Sequence, residues 1–255
     1  MKSPVVIIGI GEMGSVFARG FLRSGHPVYP VTRHADLQAM ARQLPAPELV
    51  LVAVAENTLH KVLEKIPPAW HGRVALLQNE LLPRDWERYG LVQPTVISVW
   101  FEKKRGQDVK VLIPSPIHGP HAQRLQECLA SLEIPTRVLD SEQQLLFELV
   151  VKNVYIVTTN CAGLVNGRTV SELWNNHRDL TRRVAREVIR IQESLTGQRF
   201  DAERLIDGML AAFAGDPEHI CTGRSAPARL ARALQQAEAA GIEVHELRSI
   251  ADENE

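Results

Sequence analysis

A lysine stands in the middle of an apolar stretch. Lys152 is flanked by Leu149, Val150, Val151, Val154 and Tyr155. Burying an ammonium group is costly unless it is paired or used. Desolvation lowers its pKa and lets it trade protons near neutrality. Hydride transfer to a carbonyl leaves an alkoxide, and a positioned lysine is a usual donor of the missing proton. Asn160 follows a little over two helical turns later and shares the face of Lys152. Glu148, one turn before, is placed to pair with the lysine. The alternative is a lysine near a helix end whose stem is buried and whose head reaches water.

A second group stands at the N-terminus. Gly9-Ile10-Gly11-Glu12-Met13-Gly14 is G-x-G-x-x-G, following a strand-like run and opening a helix-like one. Gly9 allows the tight turn, Gly11 lets the backbone approach a pyrophosphate, and Gly14 lets the helix pack close. The helix N-terminus, entered through Glu12 and Met13, supplies N–H donors and partial positive charge. The alternative is a plain strand-to-helix turn. A dinucleotide site for NAD puts an acid at the end of the second strand. Here the residues are Val31-Thr32-Arg33-His34. Arg33 is suited to a 2′-phosphate and Thr32 to donating to it, so the cofactor expected is NADP. The nearest acid, Asp36, reads as a helix cap. A solvated Arg33 is the alternative.

The elements that must position these groups alternate in the first half. Strands are expected at Val5–Gly9, Val28–Val31, Glu48–Val54 and Arg73–Leu77. Helices are expected at Glu12–Ser24, Leu37–Leu44 and Leu59–Ile66. This is β-α-β-α-β-α-β, the pattern of a doubly wound parallel sheet. The fourth strand runs into Gln78-Asn79-Glu80 at the carboxyl end of the sheet, where ligands bind. Asn79 is suited to the nicotinamide ribose or the substrate carbonyl, or else forms a turn. Thr95–Phe101 and Val109–Ile113 read as a hairpin on the sheet edge, followed by a helix at Pro120–Leu132 and a short strand at Thr136–Leu139. Beyond Ser141 only helices are expected, at Gln143–Leu164, Leu180–Thr196, Ala202–Phe213 and Ala226–Ala240. The chain is therefore divided into a Rossmann-type α/β domain, 1–140, and an all-α domain, 141–255.

The chain has 255 residues, 29 Lys plus Arg against 30 Asp plus Glu, and a formal net charge of −1. That length supports a proper core, and the charge balance argues against nucleic acid as the main partner. Cys128, Cys161 and Cys221 have neither metal nor disulfide spacing, which fits a reducing cytoplasm. His118, His121, His177 and His219 follow no ligand spacing, so no metal is expected. They read as surface or capping residues. No run of ~18 apolar residues is seen, so no membrane span is expected. Arg178, Arg182, Arg183, Arg186 and Arg190 read as a solvated face interrupted by Glu187 and Glu193. Trp174 reads as core or interface.

These residues together resemble the ketopantoate reductase family. That family carries the glycine loop, an Arg after the second strand, a Gln-Asn-Gly after the fourth, and a helix reading E-L-x-x-K-x-x-x-N-x-x-x-N. Here the helix is Glu148-Leu149-Val150-Val151-Lys152 through Asn160. The resemblance covers roughly residues 4 to 165. It implies a helical second domain like that of 6-phosphogluconate dehydrogenase, carrying substrate and dimer contacts. It also implies proton donation by Lys152, binding by Asn79 and Asn160, and a small carboxylate substrate. Three departures stand out. The first helix asparagine is Ile156, and Gln-Asn-Gly is Gln78-Asn79-Glu80. A family Glu falls near Ser225, where the residues are Thr222-Gly223-Arg224-Ser225-Ala226-Pro227. Arg224 and Ser225 are candidates for the substrate carboxylate, or else belong to a helix-starting turn with Ser225 as N-cap. Two functions follow: an NADP-dependent reductase of a small 2-oxo acid or related carbonyl, with the proton from Lys152, or an NADP-binding sensor or partner protein that has lost the chemistry. Oligomeric state stays open, a homodimer included.

Overall fold

The computed structural model describes residues 2–254. The chain divides into two compact units, the first ending at Glu148 and the second beginning at Leu149.

The first unit is built on seven strands: β1 (Val5–Ile8), β2 (Val28–Val31), β3 (Leu49–Val52), β4 (Val74–Leu76), β5 (Thr95–Ile97), β8 (Ser115–His118) and β9 (Thr136–Val138). Their order is β2-β1-β3-β4-β5-β8-β9. Strands β1 to β5 are parallel, and β8 enters antiparallel to β5. Every residue of β1 and β3 is buried, because helices cover both faces of a parallel sheet. The covering helices are α1 (Glu12–Arg23), α2 (Leu37–Gln43), α3 (Glu56–Leu63), α4 (Pro83–Glu87) and α5 (Ala122–Ala130). Phe17 and Phe21 of α1 join Leu125, Cys128 and Leu129 of α5 in the core on one face. The order 2-1-3 reverses the winding between β1 and β3. That reversal is the crevice where open α/β sheets take ligands.

The second half of this unit corrects two expectations. The predicted edge hairpin is split. Its first strand, β5, lies within the main sheet, and only β6 (Phe101–Glu102) pairs with β7 (Lys110–Val111), as a separate two-stranded sheet. The strand that continues the main sheet is β8, reading Ser-Pro-Ile-His, too short and too polar at its ends to show a period.

The second unit contains the rest of α6 (Glu142–Val165), with α7 (Val170–Asn176), α8 (Arg178–Thr196), α9 (Ala202–Gly215), α10 (Ala226–Ala239) and α11 (His245–Asp252). Helices α7 and α11 were not expected; each is about two turns long and mostly polar. Helix α6 is apolar all round because neighbours surround it. Gly208 of α9 lets that helix approach so closely that a Cβ there would lie 2.8 Å from Val151. Asn153 donates to Gln192 of α8 at 2.9 Å inside the core. By length and mean hydropathy alone α6 is long and apolar enough to cross a bilayer. Its scattered polar residues break a run but not an average. The relevant window is 83% buried inside the protein, as in a core helix. The arginine face of α8 is laced to acids: Arg182 and Arg186 to Glu203, and Arg183 to Glu246. Glu187 is no surface interruption. It is 5% exposed and accepts from the backbone N–H groups of Glu246 and Leu247, both at 3.0 Å, capping α11. Trp174 lies neither in the core nor bare at the surface; it is partly exposed, with the Arg178 guanidinium over its ring at 5.0 Å.

Candidate functional site

In the first unit the glycine loop closes the β1–β3 crevice. Gly9 has φ +96°, and a Cβ there would lie 2.7 Å from the Ala53 carbonyl oxygen at the end of β3. A Cβ on Gly14 would lie 2.0 Å from the Gly9 carbonyl oxygen. Neither position admits a side chain, so α1 starts directly against the strand end. Gly11 is different: a Cβ there would meet nothing within 4 Å, because it borders open space. Gly11 is also the N-cap of α1 and offers no side-chain cap. The first-turn N–H groups, which no helix satisfies internally, are left to a ligand or water. Glu12 is exposed and pairs with Lys103 at 3.5 Å. Met13 packs its side chain on the core, so it can serve a ligand only through its backbone.

Beside this loop lies a cavity of about 790 Å³. Gly9 and Gly11 line it, as do Thr32 and Arg33 after β2, Ala53 to Ala55 after β3, and one face of α3. Its charged lining residues are Arg33, Lys61 and Lys65, with no carboxylate. Sequence reasoning identified Arg33 and missed both lysines. They are exposed and four residues apart, Lys61 on α3 and Lys65 two residues beyond its end, a spacing that could have flagged them. Asp36 is turned away, as its carboxylate accepts from the N–H groups of Gln38 and Ala39 at 2.9 and 3.1 Å and caps α2.

At the end of β4, Gln78 is buried and its amide donates to the carbonyls of Val52 and Val54 at 2.7 and 3.2 Å. This bond ties β4 to β3 and presents Asn79 in a turn, partly exposed. Glu80 has φ +59°, the left-handed region that glycine adopts without strain.

The second unit gathers the lysine cluster. Lys152 keeps part of its surface in water, yet burial of its ammonium, helped by the Arg229 charge, lowers its pKa from 10.5 to about 7. Its Nζ lies 5.6 Å from the centre of the Tyr155 ring. Tyr155 in turn packs on Phe213 and His219. Asn160 is 8% exposed; its Nδ2 donates to the Cys221 carbonyl at 2.9 Å, and its Oδ1 accepts from Arg229 Nη1 at 2.8 Å. The Glu148 carboxylate is not reserved for Lys152. It accepts from Arg137 at 2.7 Å within the first unit. Arg224 and Ser225 are exposed at the start of α10. Ser225 stands at the N-cap position, but its hydroxyl makes no capping bond. Arg229 was missed by sequence reasoning. The signal was present: α10 buries Ala226, Leu230, Ala233 and Ala237, and Arg229 falls on the edge of that apolar stripe.

The fold and these two sites define a class: a dinucleotide-type α/β unit followed by an all-helical unit carrying a lysine of lowered pKa. Solved structures make the likeness particular. Over 97% of its length the chain is similar to a ketopantoate reductase of the PanE/ApbA family from Ralstonia eutropha JMP134, with TM-score 0.67, 18% identity and 95% of that chain covered. The dimeric ketopantoate reductase from Staphylococcus aureus gives TM-score 0.62 at 16% identity, covering 97% of both chains. A D-mandelate dehydrogenase solved with NADH gives TM-score 0.66 at 15% identity, covering 98% of this chain and 96% of that one. The chain therefore has the ketopantoate reductase fold along nearly its whole length. No family model matches it, and no curated protein matches it in sequence.

Proposed function

We propose that this protein is an NADP-dependent reductase of a small 2-oxo acid. The observation that carries the reading is Lys152, an ammonium in an apolar helix whose pKa of about 7 suits proton exchange at neutral pH.

The cofactor cavity supports NADP on its own chemistry. The glycine loop leaves room at Gly11, and the start of α1 offers N–H groups to a pyrophosphate. Arg33 would meet the 2′-phosphate, with Thr32 donating, and Lys61 and Lys65 add positive charge on the same cavity wall. A carboxylate there would repel that phosphate, and none lines the cavity. Asn79 would bind the nicotinamide ribose or the substrate carbonyl.

When bound, the nicotinamide supplies hydride to the carbonyl carbon. Lys152, as its ammonium, gives one proton to the carbonyl oxygen and becomes a neutral amine, so the product is a 2-hydroxy acid. The amine takes its next proton from water. Near pH 7 both forms of Lys152 are populated, so release and recovery of the proton are both accessible. Asn160 spends its amide within the second unit and holds other groups in place. Dimer formation is open to the helical unit, and the Staphylococcus aureus neighbour is dimeric.

The experiment is NADPH consumption against a panel of 2-oxo acids, with product analysis. Turnover that yields the 2-hydroxy acid supports the reading. NADPH binding without turnover of any 2-oxo acid refutes it and leaves the sensor alternative.

A further inference from the structure

The end of the sheet opposite the glycine loop carries a second hollow. The cofactor cavity lies at the carboxyl ends of β1 to β3. The second hollow, of about 380 Å³, lies at the amino end of β5. Pro94 leads into that strand, and Gly119 follows β8, which runs antiparallel to it. Helix α4 forms one wall through Pro83, Trp86 and Glu87, and the start of α6 forms another through Glu142, Leu145 and Leu146. All of these residues belong to the first unit, and none lines the cofactor cavity. The size falls among small-molecule sites, which run from about 300 to 1,000 Å³.

The charge of the lining has one sign. Glu87 and Glu142 are carboxylates, and no lysine or arginine lines the hollow. Gln93 donates to one Glu142 oxygen at 3.1 Å, and the other oxygen has no partner among the described residues. The Glu87 carboxylate has none either. His118 Nδ1 stands 3.0 Å from the Leu139 carbonyl oxygen. A carbonyl only accepts, so in the neutral ring Nδ1 holds the proton and Nε2 is an acceptor. Trp86 adds a donor. The residue is 5% exposed, and its indole N–H bonds to nothing among the described residues, yet it is not sealed from solvent. A buried indole N–H usually has a partner, so this one is left to water or to a molecule in the hollow.

We propose that this hollow is a second binding site, for a small organic cation: a primary ammonium on an apolar body that also carries a neutral acceptor such as a hydroxyl. An ammonium has donors and no acceptor, which matches Glu87, Glu142 and His118 Nε2. Two carboxylates with no cation beside them attract such a ligand and repel anions. The apolar body covers Trp86, Leu145 and Leu146. The hydroxyl accepts from the Trp86 N–H. The first unit then holds two cavities that select ligands of opposite charge. This site is independent of the reading of the chain as a reductase.

The test titrates phenylalaninol, which has the ammonium, the ring and the hydroxyl, into the isotope-labelled full chain at neutral pH. The indole N–H signals of the four tryptophans are followed, and Trp86→Phe assigns the signal of Trp86. That signal is expected to move saturably with a Kd in the range of about 1 mM, while the Trp174 signal, from the second unit, stays. Phenylpropanol, which lacks the ammonium, is expected to bind about tenfold more weakly. Glu87→Gln and Glu142→Gln should each weaken phenylalaninol binding roughly two- to fivefold, as for exposed charges, and the double variant about tenfold. Saturating NADPH should leave the phenylalaninol affinity unchanged. No saturable movement of the Trp86 signal below about 10 mM, equal affinity for phenylpropanol, or an unchanged affinity in the double variant overturns the inference. So does displacement of phenylalaninol by NADPH, which would put the amine in the cofactor cavity.

Discussion

Lys152 is expected to lower the stability of the fold, and Lys152→Met measures by how much. A lysine whose pKa falls from 10.5 in the unfolded chain to about 7 in the folded one opposes folding wherever the unfolded form is charged. At ~1.4 kcal/mol per pH unit the full drop corresponds to roughly 5 kcal/mol. Lys152 keeps part of its surface in water, so screening reduces this to about 1–3 kcal/mol. Methionine matches the stem and removes the charge, and should therefore raise stability at pH 7 by that amount. For a chain of this size each kcal/mol moves Tm by about 2–4 °C. The sign with pH is fixed. Between pH 7 and 10.5 the unfolded state holds a proton that the folded state has released, so stability of the unmodified protein rises across that window. The rise should vanish in Lys152→Met. Denaturant unfolding at pH 7, 8.5 and 10 measures both effects. A variant that is no more stable at pH 7, in a protein whose stability does not climb over that window beyond what the variant also shows, would mean that the ammonium reaches water and that the buried-acid argument is wrong.

Further outcomes are expected elsewhere. Reduction requires protonated Lys152, so kcat/KM for the 2-oxo acid should fall above about pH 7, while oxidation of the 2-hydroxy acid should rise through the same range; Arg229→Gln should move this limb to higher pH, and an unmoved limb would remove Arg229 from the neighbourhood of the proton donor. NADPH should bind more tightly than NADH, and Arg33→Ala should erase most of a preference of about tenfold or more, checked by fluorescence titration; equal affinities in the unmodified protein would refute the 2′-phosphate assignment. Glu187→Ala removes the carboxylate that caps α11 and should cost about 2–4 kcal/mol in denaturant unfolding, whereas a change below ~0.5 kcal/mol would place it among ordinary surface acids.

What was legible in the sequence follows from how each element is stabilised. Strands β1 and β3 are buried on both faces, so they read as unbroken apolar runs, and the glycine loop between β1 and α1 has no freedom in residue type at Gly9 or Gly14. Those parts were read correctly. Strand β8 is held by its neighbours β5 and β9 and by the Ser115 hydroxyl accepting from the Trp100 N–H, not by a period of its own. No local signal could place it. The ends of the ion pairs were equally hidden. Glu148 is one turn from Lys152 along the chain, yet Arg137, on β9, takes it. Glu187 lies among five arginines in sequence, yet faces inward to the backbone of α11. Arg229 is the instructive omission. The resemblance points to the loop at Arg224 and Ser225, both exposed, where the resembled family has an acid. The residue that engages the α6 asparagine stands one turn into the helix, at a place where helical spacing alone puts a cation on the rim of an apolar stripe.

The central claim is that Lys152 supplies the proton of a reduction. Its most direct test is the rate of NADPH oxidation by Lys152→Met, with the 2-oxo acid that the unmodified protein turns over best, beside the affinity of the same variant for NADPH. The account predicts that kcat falls about a hundredfold or more while NADPH binds as before, as expected for the loss of a general acid in a protein that still folds. A variant that turns over within a few-fold of the unmodified protein would contradict it.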